Sequence, residues 1–240
     1  MMRLLRPLLI CVAGSILLTT AAYADGTEIT AQIKVKMLGA DRSSRHHSNA
    51  DVVLWLTPAD PGESSVVPRD IGKTHYQLAQ KNKQFIPHLL VIPTGGVVDF
   101  PNEDPFFHNV FSLFNGRRFD LGLYESGTTR SVHFDRSGVS YIFCNIHPEM
   151  SAIIITVPTR WFAVSSATGA VTIPDVAPGT YDLHVWAMGS SDASLAALGR
   201  RISVSGRTRE LGTISVEASI PGPHKNKFGE DYDVSQPSSY

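Results

Sequence analysis

The chain has 240 residues, of which 42% are hydrophobic and 18% are charged, and its formal net charge is −1 at pH 7. This composition excludes a disordered chain, a collagen-like repeat and a disulfide scaffold, and the near-zero charge argues against a nucleic-acid-binding protein, which needs a basic face. The length allows one large domain or two small ones, each with a core of its own.

Residues 1–24 have the parts of a secretory signal peptide. Two arginines precede a short apolar run, and the segment ends in Ala-Tyr-Ala. The run is too short to span ~30 Å of hydrocarbon, so we predict cleavage after Ala24, a periplasmic or secreted protein, and no membrane span in the mature form. Cleavage also removes Cys11. Cys144 is then the single cysteine of the exported chain, and a lone thiol in an oxidising compartment needs a reason to be there.

The chain after residue 25 predicts an all-β fold. Short alternating or β-branched segments are separated by Gly, Pro, Asn and Asp, which is typical of a sandwich or barrel. The predicted strands are 29–36, 51–56, 87–92, 97–100, 129–134, 139–143, 152–157, 170–173, 181–186, 201–204 and 211–216. Helical periodicity is nearly absent, although 191–198 could form one or two turns. Residues 219–240 are rich in Pro, Gly, Ser and charge, which predicts a flexible tail with a solvated His224.

Two segments carry residues that bind metals. Residues 144–150 read Cys-x2-His-x2-Met and form a short loop between two predicted strands, and an upstream loop places His108 at the start of another strand. Thiolate and thioether ligands favour Cu(I), whereas imidazole binds both oxidation states of copper. Two His, one Cys and a weak Met form a trigonal copper site with a long axial bond. The sequence therefore predicts a copper site at His108, Cys144, His147 and Met150.

Each of these residues alone has a more ordinary interpretation, since a single buried Cys acts as a small hydrophobe and a single His or Met usually belongs to the surface or the core. A nucleophilic Cys–His pair would leave the Met without a role and lacks a third polar group to orient it. Zinc sites use Cys or carboxylate ligands more often than thioethers. The combination in one loop favours copper. A second metal site at His46 and His47 lacks a third ligand nearby in sequence.

Residues 70–158 contain the motifs of a known family. A Phe-Pro-Asn turn at 100–102, a His-Asn-Val sequence beginning at His108 and the loop 144–150 together resemble a cupredoxin, the blue-copper fold of plastocyanin, amicyanin and pseudoazurin. The short spacing from Cys to Met is amicyanin-like.

The cupredoxin resemblance implies a role for each ligand of one type 1 copper ion. The cysteine and both histidines of the set would be equatorial ligands, and Met150 would be axial. Backbone N–H groups of Asn109 and Ile146 would point at the thiolate, an arrangement that tunes the reduction potential. The side chain of Asn109 would either tie the two ligand loops together or serve a turn.

Residues 159–218, with Pro-Gly-Thr-Tyr at 178–181, resemble the carboxypeptidase-regulatory-like, transthyretin-like β-sandwich. That family begins with two strands that are missing just upstream, whereas 26–58 holds two suitable strands. We therefore predict a discontinuous sandwich of these two parts, with the cupredoxin domain inserted in a loop after a linker at 60–68. Alternatively, the early strands belong to the cupredoxin's own sheets. A chain that combines a cupredoxin domain with such a sandwich is similar to methylamine-utilisation-type cupredoxin proteins.

The resemblance implies a periplasmic electron-transfer protein. Redox protein partners, such as a cytochrome or a dehydrogenase, would exchange electrons through the exposed edge of His147, with Pro148, Met150, Phe106 and Phe107 as an apolar rim. The alternative is a copper chaperone or store, which would favour clustered methionines that the mature chain lacks. A copper enzyme needs an open coordination position. Four protein ligands leave none, so no enzyme is expected.

Overall fold

The structure is a computed structural model that describes residues 26–39, 48–60, 71–113, 116–220, 222 and 224–231. The predicted signal peptide, the histidine pair at 46–47 and most of the predicted linker lie outside the described residues. Within these ranges, no helix has the length and apolar character needed to cross a membrane.

Strands dominate the described residues, which confirms the all-β prediction. They are β1 (Thr27–Met37), β2 (Val53–Pro58), β3 (His75–Gln77), β4 (Ala79–Lys81), β5 (Gln84–Ile86), β6 (Leu89–Pro93), β7 (Val97–Pro101), β8 (His108–Ser112), β9 (Phe119–Tyr124), β10 (Thr129–His133), β11 (Gly138–Phe143), β12 (Ser151–Val157), β13 (Phe162–Val164), β14 (Ala170–Val176), β15 (Gly179–Trp186), β16 (Arg200–Val204) and β17 (Thr208–Ala218). A 3₁₀ turn covers Ile71–Lys73, and the helix α1 covers Asp192–Leu198. Ser191 caps α1, because its side chain accepts the N–H of Ser194.

The strands near the two ends of the chain form one β-sandwich, the terminal sandwich. Its sheets have the orders β14-β1-β17 and β13-β2-β15-β16. β1 pairs antiparallel with β14 and parallel with β17, and β2 pairs antiparallel with β13 and β15. Strands before residue 60 therefore share sheets with strands after residue 160. In the described chain, neither β1 nor β2 pairs with any of β3 to β12. The domain boundaries themselves stay predictions.

The core of the terminal sandwich follows from alternation along its strands. Ile29 and Ile33 of β1 and Leu54 and Leu56 of β2 are spaced by even numbers of residues, so each pair faces one side of its sheet. All four are buried in one cluster with Trp161. The two early strands therefore supply side chains to the interior that the later strands enclose.

Strands β3 to β12 form a second body, the inner sandwich. Its main sheets have the orders β10-β7-β3 and β6-β12-β11-β8-β9, and β4 and β5 form a separate hairpin. Aromatic side chains, including Phe100 and Phe134, fill its core together with aliphatic ones such as Ile142. Cys144 and Met150 belong to the same buried cluster. Two of the predicted metal ligands are thus part of the inner core.

Strand β12 is buried on both faces. Ile154 packs in the core of the inner sandwich, whereas Ile153 and Ile155 pack with Val53 and Trp186 of the terminal sandwich. A strand covered on both faces reads as a continuous apolar run, which explains the sequence Ala-Ile-Ile-Ile-Thr-Val. The loop that holds the predicted ligands leads directly into this fixed strand.

The contribution of β1 to the terminal sandwich can be tested by fluorescence. Trp55, Trp161 and Trp186 are the only tryptophans of the chain and lie outside β3 to β12, so their emission reports on the terminal sandwich. Ile33 is fully buried, and we expect Ile33→Ala to lower the free energy of unfolding by about 2–5 kcal/mol because it leaves a cavity. Its exposed neighbour Lys34 is the control, with an expected change below ~0.5 kcal/mol for Lys34→Ala. An unchanged denaturation midpoint in Ile33→Ala would show that β1 does not contribute to this core.

Candidate metal centre

Strand pairing brings the two predicted ligand segments together. His108 is the first residue of β8, and Cys144 directly follows β11. β11 pairs with β8 through Phe143 and Phe111, so the end of one strand lies beside the start of the other. The loop 144–150 then turns back into β12.

The loop 144–150 is closed by its own backbone. The N–H of Cys144 donates to the carbonyl of Met150 over 3.2 Å, and the N–H of Met150 donates to the carbonyl of His147 over 3.0 Å. These bonds turn the chain so that Cys144 and His147 share one side of the loop. Met150 is completely buried.

Three donor atoms meet at the centre of this arrangement. The Sγ of Cys144 lies 3.8 Å from Nδ1 of His108 and 3.7 Å from Nδ1 of His147, and the two Nδ1 atoms are 3.1 Å apart. In a triangle with these sides, the point equidistant from the three atoms lies about 2.1 Å from each, close to the ~2.0–2.3 Å at which imidazole and thiolate bind metal ions. Within the described chain, this is the only group of three or more His, Cys, Asp or Glu donors placed to hold a metal.

A buried carboxylate orients His108. Nε2 of this imidazole lies 2.8 Å from Oδ2 of Asp104, which makes Nε2 the protonated nitrogen and leaves the lone pair of Nδ1 directed at the donor cluster. Asp104 is itself held by the N–H groups of Asn82, at 2.6 Å, and Lys83, at 2.9 Å. Burial acts to raise the pKa of Asp104, but hydrogen bonds from Lys83, His108 and Asn82 together hold it below its usual value.

The environment keeps both imidazoles neutral. Burial lowers the pKa of His108, partly opposed by Asp104. Burial also lowers the pKa of His147, and the neighbouring His108 lowers it further. Neutral imidazole is the form that binds metals.

Cys144 is buried among apolar side chains, and this burial raises the pKa of its thiol. Backbone N–H groups of Asn109, Ile146 and His147 hydrogen-bond to the sulfur and oppose that rise. The cupredoxin resemblance implied the N–H donors of Asn109 and Ile146, whereas that of His147 was not expected. The thiolate therefore has three fixed donors, and a bound cation would stabilise it further while releasing a proton.

The structure corrects the predicted exposure of the centre. His147 is 2% exposed, and Met150 is fully buried, so neither forms part of a surface rim. The ring of Phe106 packs 5.6 Å from that of His147 and 5.1 Å from that of His108, measured between centroids. Phe107 is 53% exposed, and Pro148 is exposed as well. Of the predicted rim residues, Phe107 and Pro148 are exposed, whereas the half-buried Phe106 packs on the imidazole of His147.

The side chain of Asn109 does not connect the two ligand loops. Its Nδ2 donates to Oδ1 of Asp120 over 2.7 Å and so ties β8 to β9. The loop before His108 is held instead by Asn102, whose Nδ2 donates to the carbonyls of Phe106 and Tyr124 over 2.8 and 3.3 Å.

The described part of the C-terminal segment makes contacts that the sequence did not predict. His224 and Lys227 contact the loop 144–150, and His224 is half-buried. Its Nε2–H donates to the carbonyl of Pro148 over 2.6 Å, and its ring stacks on Phe143 with centroids 4.1 Å apart. A polar, Gly- and Pro-rich composition gave no sign of this contact, because it depends on where the inner sandwich places the loop.

Asp104 and Asp120 were also not assigned from the sequence. Asp104 precedes the predicted ligand His108 by four residues, and a carboxylate near a metal-binding His is a common orienting group. That signal was available. No sequence signal pointed to Asp120, since it is linked to the site only through its hydrogen bond with Asn109.

Comparisons with known proteins give partial similarities. The family model of polysaccharide lyase family 4, domain II, matches residues 161–211. This segment lies within 159–218, for which the carboxypeptidase-regulatory-like assignment stays a prediction. No curated protein matches the chain.

Solved copper proteins are among the partial structural matches. A purple cupredoxin from Nitrosopumilus maritimus is 24% identical, with a TM-score of 0.31, and the match covers 34% of this chain and 98% of that one. A reduced amicyanin mutant is 18% identical, with a TM-score of 0.33 and coverage of 43% and 99%. A copper-containing nitrite reductase from Thermus scotoductus SA-01 is 21% identical, with a TM-score of 0.34 and coverage of 51% and 28%.

The role of Asp104 can be tested by metal affinity. We expect Asp104→Ala to lower the affinity for Cu(I) by roughly 10- to 100-fold, because His108 loses the partner that fixes its tautomer and ring orientation. Competition with a chromogenic Cu(I) chelator measures this affinity. Glu103→Ala is the matched control, since Glu103 is an exposed neighbour that pairs with Lys81 instead. Equal affinities of the two variants would contradict the orienting role.

Proposed function

We propose that the chain holds one type 1 copper ion and passes single electrons between redox proteins outside the cytoplasm. The observation that carries this proposal is the buried triangle of donor atoms from His108, Cys144 and His147, whose common centre lies at metal-bonding distance. Met150, buried in the same cluster as Cys144, is the proposed axial ligand.

The donor set fits copper better than other metals. A thiolate, two imidazoles and a thioether suit an ion that alternates between a softer and a harder oxidation state. When bound, copper supplies the one-electron Cu(II)/Cu(I) change. Structural zinc would favour more cysteines, and hard cations would favour oxygen ligands.

The residues of this chain hold the site for electron transfer. Asp104 fixes the orientation of His108, and the three N–H groups at the sulfur of Cys144 stabilise its negative charge. Burial keeps water and substrates away from the donors. These features support an electron carrier, because a copper enzyme needs a coordination position that its substrate can reach.

The proposed contact surface for partners lies above His147. Pro148, the next residue along the chain, is exposed, and the exposed Phe107 neighbours Phe106, which packs on the imidazole. A small apolar patch of this kind suits weak and transient redox encounters. Electrons would pass from His147 to a partner docked on this patch, past the ring of Phe106.

An absorption spectrum tests the copper site. We expect the mature protein with one equivalent of Cu(II) to show an intense blue band that bleaches with ascorbate and returns on oxidation. Cys144→Ser should abolish the band because the thiolate is its source, whereas His133→Ala, which removes an exposed histidine of β10, should leave it unchanged. A colourless protein that still binds copper would favour a storage or chaperone role instead. A protein that binds no copper would overturn the proposal.

The axial role of Met150 has its own test. We expect Met150→Leu to give a coloured protein with a raised reduction potential, because without the axial donor only three ligands remain, a coordination that Cu(I) accepts more readily than Cu(II). Protein-film or solution voltammetry measures the potential. Met37→Leu, in β1 of the terminal sandwich, is the control and should leave the potential unchanged. If Met150→Leu leaves it unchanged as well, Met150 is not a ligand.

A further inference from the structure

The segment 224–231 makes three contacts with the loop 144–150 and with the last residue of β11, which precedes it. His224 stacks on Phe143 and donates to the carbonyl of Pro148 over 2.6 Å. The N–H of Lys227 donates to Oδ1 of Asn145 over 3.1 Å. The contacted residues Phe143 and Asn145 flank Cys144, and Pro148 follows His147. The segment therefore holds the loop immediately beside two proposed ligands.

The same segment also reaches β9. Nζ of Lys227 lies 2.9 Å from Oδ2 of Asp120, and the ammonium side chain is only about one quarter exposed. The other oxygen of Asp120 accepts from Asn109 over 2.7 Å, and the backbone N–H of Asn109 bonds to the sulfur of Cys144. Asp120 and Asn109 thus connect Lys227 to the proposed copper thiolate, by hydrogen bonds on either side of Asn109.

These contacts connect two elements that carry different donors. The loop 144–150 carries Cys144 and His147, whereas β9 pairs with β8, which carries His108 opposite Tyr124. Lys227 binds both elements, one through its backbone and one through its side chain. A segment attached at both points limits how far the loop can move away from β8.

We propose that residues 224–231 form a clamp of the metal centre, in which His224 and Lys227 are positioning residues that keep the donor atoms together and slow the loss of copper. This proposal rests on the proposed function. The clamp acts on the loop whether or not a metal is bound, because the contacts with Phe143, Asn145, Pro148 and Asp120 are made to protein groups.

Charge gives Lys227 a second effect. Its ammonium balances the carboxylate of Asp120, whose other oxygen is bonded to Asn109 beside the thiolate. Without Lys227, the unbalanced negative charge would stabilise Cu(II) relative to Cu(I). A role limited to packing would not shift the reduction potential in this way.

The chain offers matched variants for the test. His224→Ala removes both the stacking and the hydrogen bond, and His224→Phe keeps only the stacking. Lys227→Ala removes the ion pair, and Lys227→Arg keeps a cation. Lys225→Ala is the control, since Lys225 pairs with the exposed Asp231 and loses the same charge without contacting the loop through its side chain.

Two measurements on the full-length protein test the clamp. Amide hydrogen exchange of the loop 144–150 in the copper-free protein should be about fivefold faster in His224→Ala and in Lys227→Ala than in Lys225→Ala, as expected for the loss of one net hydrogen bond. Transfer of copper from the loaded protein to a chelator should accelerate by a similar factor. His224→Phe should lie between His224→Ala and the wild type, and Lys227→Arg should restore both rates.

The reduction potential separates positioning from general destabilisation. We expect Lys227→Ala to lower the potential more than Lys225→Ala, and Lys227→Arg to return it to the wild-type value. Unchanged tryptophan fluorescence would show that the terminal sandwich remains folded in every variant. Loop exchange and copper release equal to those of Lys225→Ala would overturn the clamp while leaving the copper site intact. If the wild type binds no copper but the variants show the expected differences in hydrogen exchange, the proposed function is overturned, whereas the positioning of the loop by residues 224–231 is supported.

Discussion

The centre depends on the cost of placing a negatively charged sulfur in an apolar core. Cys144 is fully buried, and an isolated charge in such surroundings is strongly unfavourable. Three N–H groups offset part of this cost, one from Asn109 in β8 and two from the loop 144–150. Because these donors come from separate segments, the sulfur can accept from all three only if the distance between β8 and the loop is fixed. The pairing of Phe143 with Phe111 sets that separation.

Other parts of the structure keep the donors fixed from different sides. Asp104 holds the ring of His108, and β12 anchors the end of the loop because both of its faces are packed. The segment 224–231 covers the outer side. A site whose donors are already in place needs little rearrangement when its charge changes, which is the property that the proposed electron transfer requires. The terminal sandwich contributes to this indirectly, through its contact with β12.

Three of the four predicted ligands were proposed from the sequence because their spacing is local, whereas His108 lies 36 residues before Cys144 and is brought to it by strand pairing. Cys-x2-His-x2-Met fits within one loop, and the strands on each side show clear apolar patterns. The partners of β1 and β2 lie more than a hundred residues away, and no local pattern specifies them; the suggestion came from a family resemblance. The contacts of His224 and Lys227 left no pattern either, since single polar contacts made by a tail depend on the folded surface that it meets. The burial of His147 was missed because it depends on Phe106 folding over the ring.

The parallel pairing of β1 with β17 has a consequence for the order in which the chain folds. Synthesis delivers β1 and β2 first, but their partners β13 to β17 arrive only after the whole inner sandwich. The inner sandwich can fold from contacts within its own stretch, whereas the first two strands wait with open edges, a state that favours unwanted association. Pairings between distant segments also form slowly. The period during which β1 and β2 wait for the last five strands is therefore when this protein is most exposed to aggregation and to proteases.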